Sequence, residues 1–210
     1  MLMRYTSEPE LLLIIVVAFV VAITIHEFSH ALVATWLGDD LPRLQGRVSL
    51  NPLRHLDPLG TLMIAIASFG WGRPVLVNPY RLRFGLHRGM ALVALAGPVS
   101  NLLLAVVLTP LVRQLVESAD ANPLAVQGVF LILQLNVFLA VFNLIPIPPL
   151  DGFSVVVGLA PTAMADRLNE LRRYGPVALL AVFLLISVFP AASGIIARPA
   201  NFLTGLLLGP

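Results

Sequence analysis

The run Leu11-Leu12-Leu13-Ile14-Ile15-Val16-Val17-Ala18-Phe19-Val20-Val21-Ala22-Ile23-Thr24-Ile25-His26-Glu27-Phe28-Ser29-His30 carries ionisable side chains at the end of an otherwise apolar stretch that continues to Leu37. So long an apolar run reads as a membrane helix. From Leu11 to His26 such a helix rises ~22 Å at 1.5 Å per residue, inside a hydrocarbon layer ~30 Å thick. The polar group therefore lies within the membrane, near the end where the helix exits. Imidazoles four residues apart share one helix face, about one turn from each other, and can grip one metal ion together. Glu27 sits beside the first of them, placed to take a proton from water activated by the metal, which is the H-E-x-x-H logic of zinc hydrolases. The plain alternative is a chance motif whose histidines pack against other helices. Ionisable groups at that depth are costly, however, and are kept for function.

Composition agrees with a membrane setting. The 210 residues are 58% hydrophobic and only 11% charged, with a mean hydropathy of +0.92. This is a polytopic membrane protein and not a soluble domain with a large core. No linker is rich enough to split the chain, so residues 1–210 read as a single integral-membrane domain. Cysteine is absent, which excludes disulfides and thiolate ligands; any metal must be held by His, Asp or Glu. A formal net charge of +2 is too small to suggest nucleic acid, and all thirteen basic residues are arginine. The N-terminus, with Arg4, Glu8 and Glu10 before a long apolar run and no small-residue cleavage pattern, does not read as a cleaved signal. Leu11–Leu37 is expected to be a retained helix, with Trp36 at the interface and Gly38 closing it.

Beyond Gly38 the chain alternates short polar pieces with apolar ones. Leu44–Leu50 and Val75–Val77 have the look of short membrane-associated β-strands. Between them Leu59–Phe69 is apolar but only ~17 Å long as a helix, too short to cross. Met90–Leu111, Leu124–Ile145 and Pro176–Ile196 complete, with the first helix, about four full transmembrane helices. Val155–Gly175 reads as a loop with an amphipathic helix carrying Arg167, Arg172 and Arg173, and Pro199–Gly209 as a piece too short to cross that lies along the surface. If Leu59–Phe69 dips in and returns, ten arginines face one side and three (Arg4, Arg113 and Arg198) the other, which puts the ten in the cytoplasm. The expected fold is therefore an all-α polytopic membrane protein with a re-entrant segment, its N-terminus outside and His26 near the cytoplasmic side.

A catalytic zinc has three protein ligands and one open position. His26 and His30 supply two, and His55, His87, Asp57 and Asp151 are candidates for the third. Asp151 is the best placed. It follows Asn143-Leu144-Ile145-Pro146-Ile147-Pro148-Pro149-Leu150, where clustered prolines must unwind the end of a membrane helix, and unwound backbone at depth is tolerated only where it is buried in protein or lines a wet cavity. The alternative is an ordinary Asp-Gly surface turn.

His26–His30 together with Asn143-x-x-Pro146-x-Pro148-Pro149-Leu150-Asp151-Gly152 resembles the site-2 protease family of intramembrane zinc metalloproteases. The stretches Gly46-Arg47-x-x-Leu50-Asn51-Pro52, His55-x-Asp57-Pro58-x-Gly60-Thr61 and Ala96-Gly97-Pro98-x-x-Asn101 resemble its small prokaryotic branch. The likeness runs from about Ile25 to Gly152. It implies Asp151 as third ligand of one catalytic Zn2+, Glu27 as catalytic base, and Asn143 near the metal, holding the substrate carbonyl. The PDZ insertion of many relatives does not fit in this sequence. The reaction implied is hydrolysis of a peptide bond in or near a transmembrane segment of a membrane-protein substrate, in a prokaryotic cell membrane. The partners are the lipid bilayer, the substrate helix and, for a homo-oligomer, further copies of the chain.

Other polar residues read less sharply. His55 is a hydrogen bonder or gate near the site, or a loop residue with Asp57. Asn101 faces the site or bonds another helix, and Asn136 serves helix packing. His87, beside Arg88, reads as a solvated helix end. The rival functional class is a non-catalytic metal-binding pseudoenzyme or a metal transporter. A transporter would place polar groups along several spans, and a pseudoenzyme would have lost Glu27 or a ligand; here the groups cluster at one depth and none is lost.

Overall fold

The computed structural model of the chain describes residues 9–67, 70–189 and 193–209. Helix α1, Pro9–Trp36, is followed by α2, Leu41–Leu44; α3, Pro58–Ala67; α4, Leu86–Glu117; and α5, Pro123–Asn143. Then come α6, Asp151–Leu159; α7, Thr162–Asn169; α8, Gly175–Val188; and α9, Gly194–Leu208. Single 3-10 turns span Pro52–Arg54, Pro79–Arg81 and Glu170–Tyr174. Three of the helices, α1, α4 and α5, are long and apolar enough to cross a membrane.

These three pack on one another through small residues. Ala18, Ala22, Ala31 and Ala34 of α1, Ala105 of α4 and Ala140 of α5 have no exposed surface. In lipid, where apolar burial gives little drive for helix association, small residues and interhelical hydrogen bonds supply it. On α1 the buried positions Phe19, Ala22, Ile23, His26, Glu27, His30, Ala31 and Ala34 fall at three- and four-residue steps. The polar motif therefore lies on the same stripe that packs, while Leu13, Val17 and Trp36 face outward. Asn122, Asn51 and Asn78 accept from the backbone N–H two residues on and start α5 and two of the 3-10 turns.

The chain between α1 and α4 folds back on itself. Asp57 Oδ1 accepts from Gly60 N at 2.8 Å and caps α3. On the return, Gly72 forms an isolated antiparallel bridge with Leu56, and Arg73 N donates to His55 O at 2.7 Å. The two ends of the excursion thus meet. At ten residues, or ~15 Å, α3 is too short to span a bilayer. Phe69, the last residue of the expected dip, lies outside the described residues. Ile64 of α3 packs with Phe19 and Ile23 of α1 and against Leu135 and Leu139 of α5.

Several expectations need correction. No strand occurs among the described residues. Leu44–Leu50 is instead the end of α2 and a turn through Gly46 at φ +67, because the Asp39 carboxylate accepts from Leu41 N and Asn78 N and curls this loop against the return segment. Val75–Val77 has no ladder partner among the described residues, although its alternation is real: Val75 and Val77 face inward and Leu76 outward. The expected fourth span is represented by α8, fourteen residues long, and the start of α9, with residues 190–192 outside the described set. The described residues therefore give three helices of spanning length, not four. The C-terminal piece does not stand alone, since Ala200, Leu203 and Leu207 of α9 pack with Ala105 and Val112 of α4 and Leu133 and Val137 of α5. Arg113 Nη2 donates to Leu207 O at 2.6 Å, at the end of α9.

Candidate metal centre

Asp151 reaches α1 because α5 cannot continue. Pro146, Pro148 and Pro149 lack the N–H that a helix interior needs, and the chain turns until Leu150, extended at φ −68 and ψ 158, starts α6. Asp151 is the first residue of α6. Gly152 lets that helix end press on α5: a Cβ there would stand 2.2 Å from Leu144 O, closer than atoms can approach.

His26, His30 and Asp151 meet across 125 residues of sequence. Asp151 Oδ2 lies 3.1 Å from His26 Nε2 and 3.3 Å from His30 Nε2, and one ligand atom from each residue falls within 4.8 Å of the others. The imidazoles are edge to face, with ring centroids 4.6 Å apart. Both rest on α4 at Gly97, where a Cβ would come within 2.5 Å of His30 Nε2 and 2.6 Å of His26 Cε1. A side chain at that position would displace both rings.

Hydrogen bonding sets the tautomers. His30 Nδ1 faces Val93 O at 2.7 Å; a carbonyl only accepts, so Nδ1 carries the proton. His26 Nδ1 faces Asn101 Oδ1 at 2.6 Å. The amide's orientation is fixed by its other end, because Asn101 Nδ2 donates to Ala22 O at 3.0 Å and to Asn136 Oδ1 at 2.6 Å. Asn136 Nδ2 in turn donates to Ile132 O at 2.8 Å. Each imidazole thus presents an Nε2 lone pair to the Asp151 oxygen, the outer-shell pattern of metal-bound histidine. Asp151 Oδ2 is itself buried without a hydrogen-bond partner among the described residues. Three electron-rich atoms facing one another at these distances fit a divalent cation between them.

Among the other sequence candidates, Asn143 lines the same cavity of about 200 Å³, with Pro74, Val75, Val77, Met90 and Ser154; its Nδ2 donates to Leu139 O at 3.0 Å. His55 and Asp57 stand apart from the three ligand candidates. His55 is fully buried, and its Nε2 faces Ser49 O at 2.6 Å. Burial pushes this imidazole below its ordinary range, with the Ser49 carbonyl opposing and the Arg47 charge adding to the effect. His87 is not a solvated helix end. It is half-buried, 3.1 Å from Asp166 Oδ1 and 3.3 Å from Asn169 Nδ2, because α7 folds over it.

Comparison with known proteins accords with this geometry. The chain is 40% identical over 184 residues to the Bacillus subtilis (strain 168) protein named "Putative zinc metalloprotease YwhC", covering 85% of this chain and 82% of that one. The chain belongs to the site-2 protease family of intramembrane zinc metalloproteases. Two mycobacterial family members named "Putative zinc metalloprotease Rip2" are also similar. The Mycolicibacterium smegmatis protein is 33% identical over 73% of this chain and 60% of its own length, and the Mycobacterium tuberculosis (strain H37Rv) protein 32% identical over 81% and 66%. No family model and no solved structure matches.

What sequence reading missed in this site-2 protease is the support around the ligands. Gly97 and Arg47 appeared in the sequence only as members of motifs, Arg47 also as one of the charges counted on one side of the membrane. Arg47 is in fact buried, with its Nη2 3.8 Å from Glu27 Oε2. The available signal was Arg47 in the Gly46-Arg47 motif, but nothing local says that it turns inward.

Proposed function

We propose that this chain is a zinc-dependent intramembrane protease that hydrolyses a peptide bond in or near a transmembrane segment of a membrane-protein substrate. The observation that carries the reading is the convergence of His26 Nε2, His30 Nε2 and the unpartnered Asp151 Oδ2 beside Glu27 on a cavity large enough for a short piece of extended chain. Bound there, Zn2+ supplies Lewis acidity that brings the pKa of water toward ~7 and polarises a carbonyl.

This chain's own residues do the rest. His26, His30 and Asp151 hold the ion. Glu27, on the same helix turn and lining the same cavity, accepts the proton of the attacking water and returns it to the leaving amide nitrogen. Asn143, at the cavity wall, donates to the substrate carbonyl with the Nδ2 hydrogen that Leu139 O does not take. A helical substrate hides its scissile bond in its own hydrogen bonds and must be unwound. Pro74–Val77 has no ladder partner among the described residues and turns Val75 and Val77 to the cavity, which suits it to pair with an extended substrate by strand addition. The hydrogen bonds joining α1 to α4 and the meeting of His26, His30 and Asp151 across α1 and α6 support one catalytic domain; the arginine placement supports a site near the cytoplasmic face, and the joined ends of the α3 excursion support a re-entrant segment.

Reconstituted in liposomes with a single-span substrate, the wild type is expected to cleave and Glu27→Gln to bind metal but leave the substrate intact. Turnover in Glu27→Gln would remove Glu27 from its role. Substrate trapping with the same variant in native membranes identifies what is cut.

A further inference from the structure

The geometry points to Arg47 as the positioning residue of Glu27, tying the candidate base to both ends of the α3 excursion; the inference rests on the protease reading above. Arg47 is 5% exposed. A buried guanidinium is costly unless its charge and its N–H groups are answered. Here both terminal nitrogens are answered, Nη1 donating to Arg54 O and Nη2 to Arg73 O, while Nη2 also stands 3.8 Å from Glu27 Oε2; Nε is buried without a hydrogen-bond partner among the described residues. Among the described residues Arg47 is the basic side chain that forms an ion pair with Glu27.

The two carbonyls give the arrangement its meaning. Arg54 precedes the excursion and Arg73 ends it, and the intervening ends are already joined by Arg73 N on His55 O. The guanidinium therefore closes the mouth of the excursion and faces the carboxylate from a fixed angle. A planar fork with both terminal nitrogens committed cannot swing, so the charge it presents to Glu27 is fixed in place. A lysine would keep the charge but answer at most part of the carbonyl pair. At 3.8 Å the contact with Glu27 is an ion pair, leaving the carboxylate oxygens free to accept from water. That is the arrangement a base needs: oriented and charged, with its acceptor sites not consumed by its own support.

The test uses the full chain in liposomes, with Arg47→Met and Arg47→Lys measured beside wild type and Glu27→Gln for kcat, KM, bound zinc and melting temperature. Because the chain has no cysteine, a spin label on a single cysteine at Leu59, which is exposed on α3, reports the mobility of the excursion without activity. The expected result is kcat lower by about 100-fold in Arg47→Met and about 10-fold in Arg47→Lys, with KM and zinc stoichiometry unchanged and a more mobile label in both. Arg47→Met within threefold of wild type overturns the proposal. So does a loss of kcat in Arg47→Lys matched by equal loss of zinc, which marks a merely structural role. If Arg47→Met fails to fold, Arg47→Lys alone decides, and wild-type kcat with an unchanged label is the overturning result. Cleavage lost in Glu27→Gln but untouched in the Arg47 variants sinks only Arg47; no Glu27-dependent cleavage in the wild type sinks the protease reading and this one with it.

Discussion

At the residue scale, the candidate centre depends on the residues packed behind its histidines. Gly97 is the sharpest case, since its missing Cβ is the space both imidazoles occupy. Gly97→Ala is expected to displace the rings and to leave the purified protein with little zinc, as measured by elemental analysis; full zinc occupancy in that variant would show that α4 can move aside. Asn101 acts more subtly. Its Oδ1 accepts from His26 Nδ1 and so holds the tautomer that presents Nε2. Asn101→Leu is expected to weaken zinc affinity by roughly 10–100-fold without removing any ligand, as read in a competition titration with a chromophoric chelator. Of this layer only residue types were legible in the sequence. Asn101 stands 75 residues from His26, and no local pattern announces which amide will meet which ring.

At the element scale, the decisive event is how α5 ends. The prolines after Asn143 stop the helix for reasons visible in the sequence, but the direction of restart is set by Gly152 against Leu144 O. Gly152→Ala is expected to push α6 off that carbonyl and carry Asp151 with it. Zinc affinity should then fall toward that of Asp151→Asn while both histidines remain in place, which isothermal titration of the two variants would show. The α3 excursion carries a different sensitivity. His55 is buried and its pKa is lowered by that burial, so the unfolded chain binds the proton more readily than the folded one. The stability it lends is fully present above the ordinary imidazole value of 6.5 and is lost as pH falls from there toward the folded pKa. The excursion should exchange amide hydrogen more readily at pH 5 than at pH 7.5, after correction for intrinsic rates, and His55→Gln should flatten that difference. The excursion's return was inferred from arginine placement, whereas the strands expected beside it do not occur among the described residues: alternation over a few residues cannot show whether a partner strand exists, and none of the described residues pairs with Val75–Val77.

At the scale of the whole molecule, the candidate metal joins parts of the chain that the membrane alone would leave independent. α1 brings two of the candidate ligands and α6 the third, while α4 holds the histidines from behind through Val93 O, Gly97 and Asn101. A ligand that binds the folded state alone stabilises it by about 2.7 kcal/mol at a hundredfold excess over its Kd. Stripping zinc with a chelator is therefore expected to lower the melting temperature in detergent by roughly 5–10 °C. Asp151→Asn should lose most of that difference, and an unchanged melting temperature on chelation would separate metal binding from the packing of α6 on α1.

The sequence by itself determined that this is a helical membrane protein and marked His26, Glu27, His30 and Asp151 as the candidates for its chemistry; it set the span ends only roughly, since the expected Met90–Leu111 is Leu86–Glu117 and the expected Pro176–Ile196 is divided between α8 and α9. Hydrophobic length, helix periodicity and proline stops are local properties, and a charged motif in an apolar run stands out because lipid makes it expensive. Only the tertiary structure decided that Arg47 turns inward to Glu27, that Asn101 and Asn136 form a relay behind His26, that His87 lies under α7, and that the fourth apolar run divides between α8 and α9. Those outcomes depend on which helix faces meet, and a face is chosen by the sum of contacts from segments far apart in the chain.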